Sequence, residues 1–253
     1  MVLSVFEPRV QRWGHRLAAV VFPPRCVHCG GLVDPAETPA GFRHLCLPCQ
    51  ALVSWVQPPH CSACGHPFHG VVEGERECPR CVGLEPAFGE ARTASLFSGP
   101  VRALVIGLKY HHGLHLLVDC AALFRGAPHL LEHVRGARLV PVPLHSRKQR
   151  ERRYNQSALL AHELARVAGG ETTVESVLKR RIDTATQTAF DREQRRANLQ
   201  NAFALAAEAP LSSGVRYVLV DDVFTTGSTV NACARVLREA GVERVDVATL
   251  AHG

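Results

Sequence analysis

The stretch Val218–Thr229, VLVDDVFTTGST, decides the reading of this chain. Val218, Leu219 and Val220 form a short apolar run of the kind that fills a buried parallel strand. Asp221 and Asp222 follow at once. After Val223 and Phe224 come Thr225, Thr226, Gly227, Ser228 and Thr229, ahead of apolar positions at Val230, Cys233, Ala234 and Leu237. Their i, i+3, i+4, i+7 spacing predicts a helix lying on a sheet, its N-terminus beside the strand's carboxyl end. Backbone N–H groups at such a helix start attract phosphate, and Gly227 permits close approach and positive φ. Carboxylates repel phosphate, but they accept hydrogen bonds from hydroxyls. A ligand with a phosphate at one end and a vicinal diol a few ångströms away satisfies both, which predicts a ribose 5-phosphate site.

Outward from this stretch, the second half alternates between strand and helix. ARTASLFS, ARLVPVPL, ESVLKRRI, NAFAL, VRYVLV and VERVDVATLA read as strands. VRALVIGLKY, LHLLVDCAALF, SALLAHELARVAGG and STVNACARVLREAG read as helices, and HSRKQRERRYNQ as a polar basic loop. Alternation of this kind implies right-handed crossovers and a largely parallel sheet. Other phosphate-binding or nucleophile motifs are absent, including G-x-x-x-x-G-K-[ST], G-x-G-x-x-G after a strand and G-x-S-x-G.

The first half is organised by cysteine. Eight of the ten cysteines form four C-x-x-C pairs, Cys26/Cys29, Cys46/Cys49, Cys61/Cys64 and Cys78/Cys81. Two such turns bring four thiolates into a tetrahedron, so the spacing predicts two zinc ribbons holding about two structural Zn²⁺ ions. Sequential pairing, 26/29 with 46/49 and 61/64 with 78/81, is preferred here to an interleaved cross-brace; iron–sulfur ligation is the alternative chemistry. Four cysteines per site leave no position for water, hence a structural role. Cys120 and Cys233 sit in apolar helical patterns and read as buried thiols.

Net charge is +6, and residues 141–200 hold twelve Lys/Arg against seven Asp/Glu, so much of the excess sits in one segment. That placement suits a polyphosphate or nucleic-acid ligand. No apolar run approaches the roughly 18 residues that span a bilayer. The N-terminal stretch, broken by Glu7, Arg9, Arg12 and Arg16, fits an amphipathic helix better than a secretory signal. The expected location is cytoplasmic, without membrane insertion. The expected division is an N-terminal helix over 1–24, a double zinc ribbon over 25–85, and an α/β domain over 86–253.

These motifs together resemble a known family. VLVDDVFTTGST resembles the signature loop of type I phosphoribosyltransferases. LVPVPLHSRKQRERRYNQSALLAHELA, RRIDTATQTAFDREQRRANLQNAF and IGLKYHHG resemble segments of the ComF/GntX family, as does the double zinc ribbon. The family usually has Gly where this chain has Arg153. The resemblance implies a phosphoribosyltransferase-like fold, a mostly parallel sheet flanked by helices, that binds phosphoribosyl pyrophosphate with Mg²⁺. It implies that Asp221 and Asp222 hold the ribose hydroxyls, partly through the metal, while Thr225, Thr226, Gly227, Ser228 and Thr229 cradle the 5-phosphate. Arg147, Lys148, Arg150, Arg152 and Arg153 become candidates for the pyrophosphate, Arg152 and Arg153 foremost. The segment 183–198 becomes a closing loop with Thr186, Gln187, Arg195 and Asn198 as matched positions, and Lys109 faces the same cleft.

Two functional readings follow. One is pentosyl transfer with pyrophosphate as leaving group, in a competence or DNA-uptake role, to an acceptor the sequence does not identify. The other is a non-catalytic, nucleotide-sugar-sensing adaptor that binds single-stranded DNA and works with competence helicase or recombination proteins.

Overall fold

Val218–Val220 lies at the middle of a five-stranded parallel sheet in the computed structural model, which describes residues 24–34, 41–68, 70, 74, 76–82, 86–181, 202–207 and 211–253. The expected helix over 1–24, save its last residue, and the expected closing segment 183–198 lie outside the described residues. The described elements run α1 (Leu47–Gln50), β1 (Ala91–Leu96), α2 (Gly99–Tyr110), a 3-10 turn (Leu114–Leu116), α3 (Leu117–Arg125), α4 (Pro128–Val134) and β2 (Arg138–Pro141). They continue with α5 (Ser146–Arg152), α6 (Gln156–Ala168), β3 (Thr173–Val174), β4 (Leu178–Arg180), β5 (Phe203–Leu205), β6 (Arg216–Phe224), α7 (Ser228–Glu239) and β7 (Arg244–His252).

The sheet order is β1-β7-β6-β2-β3, with every neighbouring pair parallel. Period-2 alternation splits its residues between two cores. Val218, Val220, Leu139, Ala248 and Leu250 pack with α2, α3, α4 and α6 on one face. Tyr217, Leu219, Val140, Val245 and Val247 pack with α7 on the other, where Val230, Cys233, Ala234 and Leu237 form the stripe expected from their spacing. Among the described residues, no helix is long and apolar enough to cross a membrane.

Each cysteine cluster joins a different core. Cys26, Val33, Phe42, Leu45 and Cys49 pack into the α2–α6 core, and Cys61, Cys64, Cys78 and Cys81 into the α7 core. The fully buried Asp119 of α3 fastens the first cluster by accepting backbone N–H bonds from Arg43 and His44 and a third contact from His44 Nδ1, all at 2.8 Å. Between the clusters, Ser54 and Val56 bond the backbone of β1, covering that edge strand.

Beyond the unexpected short elements α1 and β3, the structure departs from the expected elements in four places. HSRKQRERRYNQ is not a loop throughout: Ser146–Arg152 is the helix α5, started by His145, whose Nδ1 accepts the Arg147 N–H. Lys, Gln, Arg and Glu are good helix formers, and Arg147 and Glu151 pair across one turn at 3.7 Å. β6 runs on past Val220 through the acidic pair to Phe224, because pairing with β7 continues from Asp221↔Thr249 to Phe224↔His252 and overrides the low strand preference of Asp. ESVLKRRI contributes only Leu178–Arg180, which pairs antiparallel with β5 outside the main sheet. The short helix α4 adds Leu130 and Val134 to the core without having been expected.

Candidate functional site

β6 and β2 are parallel neighbours, so their carboxyl ends open on the same edge. From β6 the chain leaves through α7 to β7 on one side; from β2 it leaves through α6 to β3 on the other. Connections diverging from adjacent strands leave a crevice, the usual ligand position in such sheets. The topology thus brings the β6–α7 turn, carrying Asp221 to Thr229, beside the β2–α6 segment, carrying the basic residues 147–153.

The β6–α7 turn has the expected shape. Gly227 adopts φ 71°, ψ −2° immediately before α7, and a Cβ there would come within 2.7 Å of Phe224 Cζ. Phe224 is fixed in turn by an edge contact with Phe88 and by stacking on His252. Thr226 and Ser228 share a hydroxyl hydrogen bond of 2.9 Å, and Thr225 and Thr226 are exposed. A helix start behind a left-handed glycine, lined by hydroxyls, is equipped to receive a phosphate.

The acidic pair is held by side chains from two other elements. Asp222 is buried; its Oδ1 lies 2.7 Å from Lys109 Nζ, and its Oδ2 accepts Gln156 Nε2 at 2.9 Å. Asp221 Oδ1 accepts both Ser157 Oγ and the Asp222 N–H at 2.9 Å. Gln156 and Ser157 open α6, whose N-cap Asn155 accepts the Ser157 N–H and donates to Val142 O. The positive end of α6 therefore faces the carboxylates. Burial, and then the charge of Asp222, push the Asp221 carboxyl up to about 7, against the donors Asp222 N–H, Ser157 and Lys109. Among the described residues, only Asp221 Oδ2 is left outside these contacts.

Arg152 connects the basic helix to this network. Its Nη1 donates to Gln156 Oε1 at 2.9 Å, and its guanidinium lies over the Tyr110 ring at 5.1 Å. Tyr154 donates its hydroxyl to the Leu108 carbonyl. Arg153 is exposed and takes the left-handed conformation, φ 66°, at the end of α5. The position where the resembled family has glycine is therefore one whose backbone favours glycine. Arg147 and Arg150 are exposed on α5, whereas Lys148 is half-buried.

Of the residues expected at the site, Asp221, Asp222 and Lys109 are joined by direct contacts, Arg152 is linked to them through Gln156, and 225–229 adjoin them on β6 and α7. Thr186, Gln187, Arg195 and Asn198 lie outside the described residues. The sequence reading did not single out Gln156 and Ser157 as site residues. Polar side chains just inside a helix start are common, so the local pattern carries no signal for these two, which the structure buries against the acidic pair.

The cysteines assemble sequentially: Cys26, Cys29, Cys46 and Cys49 form one group, and Cys61, Cys64, Cys78 and Cys81 the other, with all sulfurs of a group within 4.8 Å of each other. Zn–S bonds of about 2.3 Å place tetrahedral thiolates about 3.8 Å apart. Cys29–Cys46, Cys64–Cys78 and Cys78–Cys81 lie at 3.6, 3.7 and 3.6 Å. Burial pushes the Cys81 thiol up to about 12, a penalty on the thiolate that a divalent cation relieves. Both groups fit structural zinc.

Family models match both the cysteine-rich and the α/β parts of the chain. Residues 17–82 match the double zinc ribbon domain and residues 155–253 the phosphoribosyl transferase domain. Over 232 residues the chain is 31% identical to competence protein F of Haemophilus influenzae, covering 90% of this chain and 96% of that protein. It is 34% identical over 191 residues to the DNA utilization protein YhgH of Salmonella typhimurium, covering 74% and 81%. A solved purine phosphoribosyltransferase from Pyrococcus horikoshii aligns with 54% of this chain and 73% of its own, at 14% identity and a TM-score of 0.33.

Proposed function

This chain belongs to the competence protein F family, and from that premise we propose that it binds phosphoribosyl pyrophosphate in the β6–β2 crevice and transfers the phosphoribosyl group to an acceptor. The observation that carries the reading is the junction of β6 and α7, where an acidic pair precedes a left-handed Gly227 at a helix start. The turn 225–229 receives the 5-phosphate. Asp221 and Asp222 accept from the ribose hydroxyls. Arg152 and Arg153, at the end of α5, take the diphosphate, whose oxygens match guanidinium forks.

Departure of the diphosphate leaves positive charge at the ribose C1; the acidic pair holds the sugar by its hydroxyls while arginines neutralise the leaving group. The chain needs no nucleophile of its own. Mg²⁺, carried by the ligand's diphosphate, would neutralise that leaving group further.

Calorimetry with phosphoribosyl pyrophosphate tests the site. Asp222→Ala should abolish binding; it also strips Lys109 and Gln156 of a buried partner and should lower the melting temperature, so affinity is measured below that temperature, and undiminished affinity of the folded variant would refute the assignment. Transfer itself is tested by pyrophosphate release across a screen of nucleobase and amine acceptors.

A second reading, a single-stranded-DNA-binding adaptor, draws on the exposed Arg147, Arg150 and Arg153 beside the crevice and on relatives named for competence and DNA utilization. Removing three phosphate contacts should lower the salt slope of single-strand binding by about 2. A slope unaffected by replacing the three arginines with Ala would refute it.

A further inference from the structure

A phosphate beside two carboxylates is an electrostatic conflict that binding must resolve, and many sites do so with a divalent metal. Here a protein cation already holds that place. Lys109 Nζ is 2.7 Å from Asp222 Oδ1, and the Asp222 side chain is 6% exposed. The opposite oxygen is taken by Gln156. Lys109 is also held in position: it sits in the last turn of α2, where Tyr154 bonds the Leu108 carbonyl and Arg152 lies over Tyr110. It lies outside both matched domain ranges, 17–82 and 155–253, so neither domain description accounts for it.

We propose that Lys109 is the built-in counter-cation of the acidic pair, and that it lets the crevice bind a ribose 5-phosphate moiety without a divalent metal at the carboxylates. The proposal rests on the ribose-phosphate reading of the site and adds what neutralises it. An ammonium has three donors and a carboxylate oxygen accepts more than one hydrogen bond. A ribose hydroxyl can therefore join Asp222 while Lys109 stays, and a second Lys109 proton can reach a ligand oxygen. A divalent ion at the same carboxylate would have to displace the ammonium or sit against it, and Lys109 is backed by its anchored helix end.

The test uses ribose 5-phosphate, which lacks the diphosphate that chelates Mg²⁺, in calorimetry with the zinc-loaded chain. Buffers are freed of divalent metal beforehand by resin, since a soluble chelator would strip the ribbons, and MgCl₂ is then added or withheld. The parent should bind within about twofold of the same affinity in both. Lys109→Met should weaken metal-free binding at least about tenfold, as expected when one partner of a buried charge pair is removed, and Mg²⁺ should restore part of it. Lys109→Arg should recover most of the parent affinity in metal-free buffer, which a purely structural role for the side chain's length would not require. A parent that gains tenfold or more from Mg²⁺, or a Lys109→Met variant that binds metal-free as the parent does, overturns the proposal. Gly227→Ala separates this from failure of the site itself. It should lose binding in every buffer, and if it binds like the parent the phosphate turn is elsewhere and both readings fall.

Discussion

Replacing Asp221 with Asn should stabilise the ligand-free protein, and more at pH 8 than at pH 5.5. Its carboxyl, which ordinarily ionises near 3.8, is held at about 7, first by burial and then by the charge of Asp222. The folded chain therefore keeps a proton that the unfolded chain releases. Stability is undiminished below about pH 4, falls as pH rises towards 7, and is level above. At about 1.4 kcal/mol per pH unit, the full penalty reaches about 4 kcal/mol at pH 8 and about 2 at pH 5.5. Water reaches part of the side chain, so about half of each is expected. Asn keeps an oxygen for Ser157 and the Asp222 N–H and never ionises. At about 2–4 °C per kcal/mol for a chain of this size, the variant should melt about 6 °C above the parent at pH 8 and about 3 °C above it at pH 5.5. Melting both proteins zinc-saturated at each pH cancels the protonation of the cysteine ligands. Equal gains at the two pH values, or a loss at pH 8, would refute the account of the pair.

Three further outcomes follow from individual residues. Arg153→Gly should raise the melting temperature slightly and Arg153→Val should lower it, since φ is 66° there and a side chain in the left-handed region costs about 1–2 kcal/mol; the opposite order would mean the turn is built differently. Cys61→Ser removes a sulfur that accepts N–H bonds from Cys64 and Cys78 and should reduce bound zinc from about two ions to about one by elemental analysis; two retained ions would refute the ligand set. Tyr154→Phe deletes the hydroxyl donor to Leu108 and should cost about 1 kcal/mol in urea unfolding; an unchanged midpoint would show that this contact does not fasten α2 to the basic segment.

The parts of the structure legible in the sequence are those whose pattern has a period. The strand of Val218–Val220 and the α7 stripe announce themselves by apolar spacing, and the four C-x-x-C turns by ligand spacing, so β6, α7 and both cysteine groups lie where they were expected. The helix α5 was missed because it buries no residue. With no apolar stripe, its polar run reads as a loop, and only propensity and the His145 cap reveal it. The contacts around the acidic pair were illegible for another reason. Gln156 and Ser157 meet Asp222 and Asp221 from 66 and 64 residues away in sequence, and no local pattern encodes which helix start the sheet brings to that edge. Nothing in the sequence marks Arg153 as left-handed, yet its φ is 66° and Arg bears the strain of a conformation that favours glycine.

The conflict within VLVDDVFTTGST is resolved largely by groups outside it. Lys109 balances Asp222, burial keeps Asp221 mostly protonated below neutral pH, and the start of α6 directs its positive end at both. Those elements need a rigid backing, because a displaced ammonium or helix start would restore the repulsion. The two ribbons supply it from opposite faces. The first shares its core with α2, which carries Lys109, and with α6, which carries Gln156 and Ser157; Val27 packs against that core on the side of Gly107, where an added Cβ would lie 3.7 Å from its Cγ2. The second shares its core with α7, and the segment leaving it bonds that helix where the Ala87 N–H meets Asn231 at 2.7 Å and Phe88 meets Phe224 beneath the Gly227 turn. One zinc ribbon thus backs the proposed sugar half of the site and the other the proposed phosphate half, and loss of either metal should impair a different half of the proposed ligand's contacts.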